Sequence, residues 1–326
     1  MRNGQRSALL AAMVVVLLTT IWGVGAQQPA APAPGQREGA TTARNSTAGE
    51  PTPRLADGTV NLGRAPGEKG VWNVPYITNM GERVVEADGT TAFERRMAAG
   101  RGARVRGRGD APLGGGEGTA GGGGRGGAKS EPQVPFQSWA AAIYDYNSKN
   151  ESKYDPEGYC LPPGGPRMMA TPYPMEIIQL PEQKRILMIF EGATHVWREI
   201  YMDGRKHPEG DALNPTYLGH SVGHWEGDTL VVDVVGFNEQ TWMDYYGHPH
   251  TDLLHVVERF SRPTKNQLRY EVMYDDPGAY TKPFTMRWNI PWNASAELTE
   301  YICQENNKYL QNLTDDFGQP IFGKKQ

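Results

Sequence analysis

The 326-residue chain lacks several of the short motifs that identify enzyme classes. It has no P-loop lysine motif and no HExxH zinc motif, and no strand–turn–helix pattern suggests a nucleophile elbow or a dinucleotide-binding turn. Cysteine is almost missing, since only Cys160 and Cys303 occur. Neither has a neighbouring cysteine or histidine of the kind that a zinc site requires. No enzyme class can therefore be assigned from a short motif, and the function has to be inferred from clusters of side chains.

Long apolar runs are also missing beyond the first residues of the chain. Arg2 and Arg6 precede an apolar run over 8–22. The small residues that follow, up to Ala26, fit a cleavage site after Ala26. This pattern predicts a signal peptide over 1–26, with a retained anchor as the alternative, and a periplasmic or secreted protein with no membrane span after cleavage. In an oxidising compartment two lone cysteines pair, so a Cys160–Cys303 disulfide is expected.

Positive charge is scarce in the second half of the chain. Residues 135–326 contain 17 Lys and Arg but 26 Asp and Glu, which gives a net charge of −9. An acidic body argues against a nucleic-acid partner. The aromatic residues of the strands indicate a small-molecule partner instead.

Composition divides the chain into four parts. Residues 1–26 are the expected signal peptide, and 27–66 are rich in Pro, Ala, Gly and Thr, which predicts a disordered tether. Residues 67–134 are expected to be partly ordered, with one strand near 70–77 and a glycine-rich loop over 114–127. The arginine-rich stretch before that loop is interpreted as a solvated tether. Residues 135–326 form the expected β-barrel domain.

The fold class follows from short strands at regular spacing. Alternating apolar and polar residues recur from about residue 160 onward, separated by tight turns such as Asp203-Gly204 and Gly227-Asp228. We expect an all-β protein, an antiparallel meander that closes into a lipocalin-like barrel or sandwich. A short helix over 135–147 precedes the strands, and a C-terminal helix is expected over 295–309.

The histidines are unusually concentrated, because all seven lie between His195 and His255. His248, His250 and His255 are the candidate ligands of a divalent metal, since zinc and iron sites need three or four converging ligands. Asp233 and Glu258 are candidate catalytic acids or bases. The alternation of the strand that begins at His255 puts Glu258 on the opposite face. In the alternative interpretation the histidines hydrogen-bond locally around Pro249.

A second group of residues suggests ligand binding. An inward-facing Arg198 would need a carboxylate, either from a ligand or from Glu191 or Glu176. Strand aromatics could line an interior pocket for an apolar or aromatic molecule, or could equally be core. The candidate ligand-binding residues are Arg198, Arg205, Trp197, Tyr201, Trp225 and Trp242.

Several blocks of sequence carry a resemblance. "CLPPGGPRMMATPYPMEIIQ", "REIYMDGRKHP", "GHSVGHWEGDTLVVDVVGFNEQTWMD", "GHPHTDLLHVVERF" and "DDPGAYTKPF" resemble a large group of exported bacterial proteins, abundant in acidobacteria, of unassigned function. The resemblance covers roughly 135–310 and implies an envelope location, but it assigns no catalytic residue. The triplets "GVW" at 70–72 and "GHW" at 223–225 are similar to the Gly-x-Trp of lipocalin-like barrels.

Three functions are consistent with these patterns. The first is an exported binding protein for a small apolar or aromatic, possibly carboxylate-bearing, ligand. The second is a metal-assisted hydrolase, lyase or isomerase that uses His248, His250 and His255. The third is a structural envelope protein, which a filled barrel interior would support.

Overall fold

A computed structural model describes residues 50–106, 134–192, 196–305 and 307. Within them, nine strands form one closed barrel in sequence order, and two α-helices lie outside the sheet. The strands are β1 (Val71–Asn73), β2 (Pro174–Leu180), β3 (Arg185–Phe190), β4 (Trp197–Tyr201), β5 (His220–Glu226), β6 (Thr229–Val235), β7 (His255–Thr264), β8 (Gln267–Asp275) and β9 (Phe284–Asn293). The helices are α1 (Ala92–Arg106) and α2 (Ser138–Lys149).

The barrel confirms the all-β class, but it is not a pure antiparallel meander. β4 and β5 run parallel, and only Ile200↔Ser221 and Tyr201↔Val222 are in register. Parallel neighbours need a crossover, so residues 202–219 pass from the end of β4 back to the start of β5. The hairpin expected at Asp203-Gly204 does not form: the chain only bends at Asp203, Pro208 and Pro215 follow, and proline cannot donate to a strand ladder.

Side chains alternate between the interior and the outside along every long strand. On β7, Val256, Glu258 and Phe260 are buried while the residues between them are partly exposed. This confirms the expected separation of His255 from Glu258. The interior is packed with large side chains rather than open, which favours the core alternative for the strand aromatics over an interior pocket. The fully buried side chains include Trp72, Met175, Met188, Ile200, Leu230, Phe260, Tyr270 and Tyr274.

Arg262 closes the barrel beside the short strand β1. Its guanidinium lies 4.9 Å from the Trp72 ring and 5.4 Å from the Trp292 ring. Nη1 donates to the carbonyl oxygens of Asn61 at 2.6 Å and Gly63 at 2.8 Å. The register of β7 shifts between Ser261 and Thr264, and such a bulge re-aims the side chain within it. One arginine therefore ties the segment before β1 to the closing strands.

The barrel begins earlier in the chain than expected. Residues 50–66 were predicted to be disordered, but Val60 and Leu62 are buried and Arg54 forms a β-bridge with Val60. β1 pairs with both β2 and β9, so residues before 135 belong to the barrel. The arginine-rich stretch over 95–110, expected to be a solvated tether, is helical as far as Arg106, and α1 starts with a capping box. The Thr91 hydroxyl accepts a hydrogen bond from the Glu94 backbone amide, and the Glu94 carboxylate accepts one from the Thr91 backbone amide.

The C-terminal helix expected over 295–309 is not formed in its described residues, 295–305 and 307, which make turns and irregular chain. A backbone amide in this segment is bound by a distant side chain instead of by a helical carbonyl. The Thr299 amide donates a hydrogen bond to the buried Glu191 carboxylate at 2.9 Å. The predicted disulfide between Cys160 and Cys303 is confirmed. It anchors this final segment to the chain between α2 and β2.

The signal peptide expected over 1–26, residues 27–49 of the tether and the glycine-rich loop over 114–127 lie outside the described residues. The short helix expected over 135–147 is confirmed as α2. A search of the described part of the chain for a helix long and apolar enough to cross a membrane finds none.

Replacing Arg262 with methionine tests the closing contact. Arg262→Met leaves the carbonyl oxygens of Asn61, Gly63 and Lys265 without their donor, so we expect unfolding free energy to fall by about 3–5 kcal/mol. Denaturant unfolding measures the loss. Arg269→Met is the matched control, because its side chain is 46% exposed on β8 and should cost no more than about 0.5 kcal/mol. Equal midpoints for the two variants would contradict this role.

Candidate functional site

The three histidines predicted to bind metal have three separate environments. Nδ1 of His248 lies 2.7 Å from Oδ2 of the buried Asp244, which is close enough for an ion pair. The angle of this contact does not meet the criteria for a hydrogen bond. Nε2 of His250 bonds the Thr241 hydroxyl at 2.9 Å, and Nε2 of His255 bonds Asp233 at 2.8 Å. Among the described residues no cluster of three His, Cys, Asp or Glu could hold a metal ion. The predicted convergence is wrong, because His248 and His250 lie in irregular chain around Pro249 rather than on one strand face.

Glu258 belongs to the barrel interior and not to a solvent-facing catalytic pair. One of its carboxylate oxygens accepts from the Tyr270 hydroxyl at 2.6 Å, and the other from Nη2 of Arg198. Nε of Arg198 donates to the Ser221 hydroxyl at 2.9 Å. Burial, and then the Glu258 charge, raise the pKa of Tyr270 well above its ordinary value. Arg198 therefore faces inward, the case in which it would need a carboxylate, and its partner is Glu258 rather than Glu191 or Glu176.

Asp233 faces outward from β6 and links two histidines. Oδ1 bonds Nε2 of His207 and Oδ2 bonds Nε2 of His255, both at 2.8 Å. Nδ1 of His207 lies 2.8 Å from Nδ1 of His220. The Asp233 side chain is 41% exposed. The two predicted catalytic acids thus lie on opposite sides of the barrel wall.

A cleft of about 490 Å³ opens where β4 and β5 diverge. Only the last two residues of β4 pair with β5, so the earlier residues of β4 and the chain before β5 separate. The crossover covers this gap, and the volume lies in the range of small-molecule sites. Apolar walls come from Pro162, Val196, Trp197, Leu213 and Leu218.

Polar side chains of the cleft come from both faces of the barrel wall. Arg198 and Ser221 reach it from the interior, while Tyr201 and His220 reach it from the outside. The Arg198 side chain is 5% exposed, and its Nη1 makes no hydrogen bond to any described residue. The cleft can therefore offer an apolar surface, one buried cationic donor and one imidazole to the same molecule.

Three of the six predicted ligand-binding residues line this cleft: Trp197, Arg198 and Tyr201. Arg205 lies at its edge, with its guanidinium 3.7 Å from the Tyr201 ring centre and its charge paired with Asp203. Trp225 instead packs on the core. Trp242 borders a second cavity of about 10 Å³ beside His250, which is too small for more than a water molecule.

The sequence analysis missed His207, His220 and Ser221. Residues 219–223 are Gly-His-Ser-Val-Gly, which matches the GxSxG consensus sequence of a nucleophile elbow. Ser221 is nevertheless a buried strand residue whose hydroxyl is bound to Arg198, and no helix follows it. The histidine clustering was the available signal, but it did not show that the crossover would bring His207 to His220.

Glu258→Gln tests whether the interior pair stabilises the fold. The glutamine can still accept from Tyr270 but leaves the Arg198 charge buried and unbalanced, so we expect a loss of about 3–5 kcal/mol in unfolding free energy. Glu271→Gln on the outer face of β8 should cost about 0.5 kcal/mol or less. Denaturant unfolding of both variants gives the comparison, and similar losses would show that the interior charge is not balanced by this pair.

The chain was also compared with known proteins. A scan against family models, a search of curated proteins and a search of solved structures each found no match. Function is therefore argued from the geometry of the cleft.

Proposed function

We propose that the protein is an exported binding protein for a small apolar or aromatic ligand, held in the cleft between β4 and β5. The observation that carries the proposal is the buried Arg198 at a cleft of about 490 Å³ whose walls are largely, though not wholly, apolar. Apolar pockets with a few placed polar groups are the usual form of small-molecule sites. The Cys160–Cys303 disulfide supports the exported location, since such bonds persist in oxidising compartments.

The polar end of the ligand accepts a hydrogen bond from Nη1 of Arg198. The Nε and Nη2 atoms are already bound to Ser221 and Glu258. Glu258 also balances the arginine charge, so the ligand need not be anionic. A ligand carboxylate would form a charge-assisted hydrogen bond with Arg198, whereas a neutral ligand carbonyl would not be repelled by the Glu258 carboxylate. We favour the carboxylate. Comparing a carboxylate ligand with the amide of the same ring system distinguishes the two cases.

The packed barrel interior favours a second function, a structural envelope protein. In that case the cleft is a surface feature without a ligand. The metal-assisted enzyme is not proposed, because His248, His250 and His255 do not converge.

Calorimetric titration with 2-naphthoate and 2-naphthamide tests the binding function. We expect one site per chain, with the carboxylate bound more tightly than the amide. In the double variant Arg198→Met/Glu258→Gln, no charge is left buried and Tyr270 keeps an acceptor. Losing the charged donor should weaken naphthoate binding about 10- to 150-fold, the equivalent of about 1.5–3 kcal/mol.

Arg259→Met is the control for this titration, since Arg259 is an exposed arginine on the outside of β7. It should bind naphthoate like the parent protein. Absence of binding by either probe would favour the structural envelope protein. Unchanged binding by the double variant would place the ligand somewhere other than at Arg198.

A further inference from the structure

A chain of hydrogen bonds runs along the outside of the barrel and ends in the cleft. His255 on β7 and His207 on the crossover both bond Asp233 on β6, and His207 bonds His220 on β5. Of these four residues, His220 lines the cleft. Its ring stacks on Tyr201 with 5.3 Å between ring centres. The proposed ligand-binding function does not use this chain.

The carboxylate determines the tautomer of each imidazole in turn. Asp233 can only accept, so Nε2 of His207 carries the proton that bonds it. A neutral His207 then has a lone pair on Nδ1, and Nδ1 of His220 must donate to it. This leaves the Nε2 of His220 as an acceptor, and it makes no hydrogen bond to the described residues.

Charges around His220 favour its neutral form. Burial lowers the pKa of His220 below its ordinary value, and His207, once it is protonated, and Arg205 lower it further. The titratable groups around it are Tyr201 at the end of β4, Arg205 with its partner Asp203, Glu199 of the cleft wall, His207 on the crossover and, behind His207, Asp233. A ligand group that bonds Nε2 must therefore be a donor. A neutral donor fits this position best, because an ammonium ion would meet the same positive field of Arg205 that lowers the pKa of His220.

We propose that the cleft selects ligands that carry a hydroxyl group, which donates a hydrogen bond to Nε2 of His220. The inference rests on the proposed binding function and adds the second polar contact of the ligand. Arg198 binds the acceptor end and His220 the hydroxyl. Asp233 and His207 are positioning residues, since they hold the imidazole in the accepting tautomer.

Three probes separate this inference from the binding function: 2-naphthoate, 6-hydroxy-2-naphthoate and 6-methoxy-2-naphthoate. At pH 7.5 we expect the hydroxylated probe to bind about 3- to 10-fold more tightly than 2-naphthoate, the usual contribution of one neutral hydrogen bond. His220→Phe should abolish this preference, so that the hydroxylated and unsubstituted probes bind this variant equally well. His224→Phe is the matched control, because His224 is an exposed histidine on the same strand, and it should keep the preference.

Acidification gives an independent readout in the unaltered protein, which covers the case in which His220→Phe fails to fold. Protonated His220 donates from Nε2 instead of accepting, and a methoxy oxygen can accept as well as a hydroxyl. The preference for hydroxy over methoxy should therefore be present at pH 7.5 and decline as the pH falls below the ordinary histidine range. Neither probe titrates its carboxylate or phenol between about pH 5.5 and 8.

The outcomes are distinct. Equal binding of the hydroxy and unsubstituted probes would overturn the inference and leave the binding function intact. A preference that persists in His220→Phe, or that does not change with pH, would also overturn it. Binding of none of the three probes would count against the binding function itself, and the inference would fall with it.

Discussion

The buried ion pair between Arg198 and Glu258 is the contact on which the rest of the barrel depends. It joins β4 to β7 across the interior, while Ser221 and Tyr270 extend it to β5 and β8. The parallel ladder of β4 and β5 has only two pairs in register, so it needs this side-chain support. A buried charge is tolerated only when paired and hydrogen-bonded, and four strands are held in position to satisfy that condition.

The same network explains why a packed barrel can still have a cleft in its wall. Large side chains fill the interior, so a ligand cannot enter along the barrel axis. The cleft is instead part of the wall, formed where the crossover separates β4 from β5. Arg198 reaches that cleft from inside while its charge remains balanced by Glu258. The histidine chain reaches it from outside through His220, so the two sides of one wall meet at a single cavity.

Local patterns allowed much of the fold to be predicted. Alternation along β7 separated His255 from Glu258, and α2 and the disulfide were expected from residue types alone. Errors arose where distant contacts override local preference. The segment around Thr299 bonds the buried Glu191 instead of forming a helix, and Leu62 is ordered by the core and by Arg262. The start of α1 was an avoidable miss, since Thr91 and Glu94 have capping-box spacing.

The sequence by itself determined the all-β class, the opposite faces of Arg198 and Glu199 and the pairing of Cys160 with Cys303, because alternation and cysteine count act locally or without competitors. Tertiary structure alone decided which carboxylate meets Arg198 and which histidines meet. His207 and His220 are thirteen residues apart and become neighbours only because β5 pairs parallel with β4. Strand direction and register depend on long-range pairing, and no local pattern in the chain specifies them.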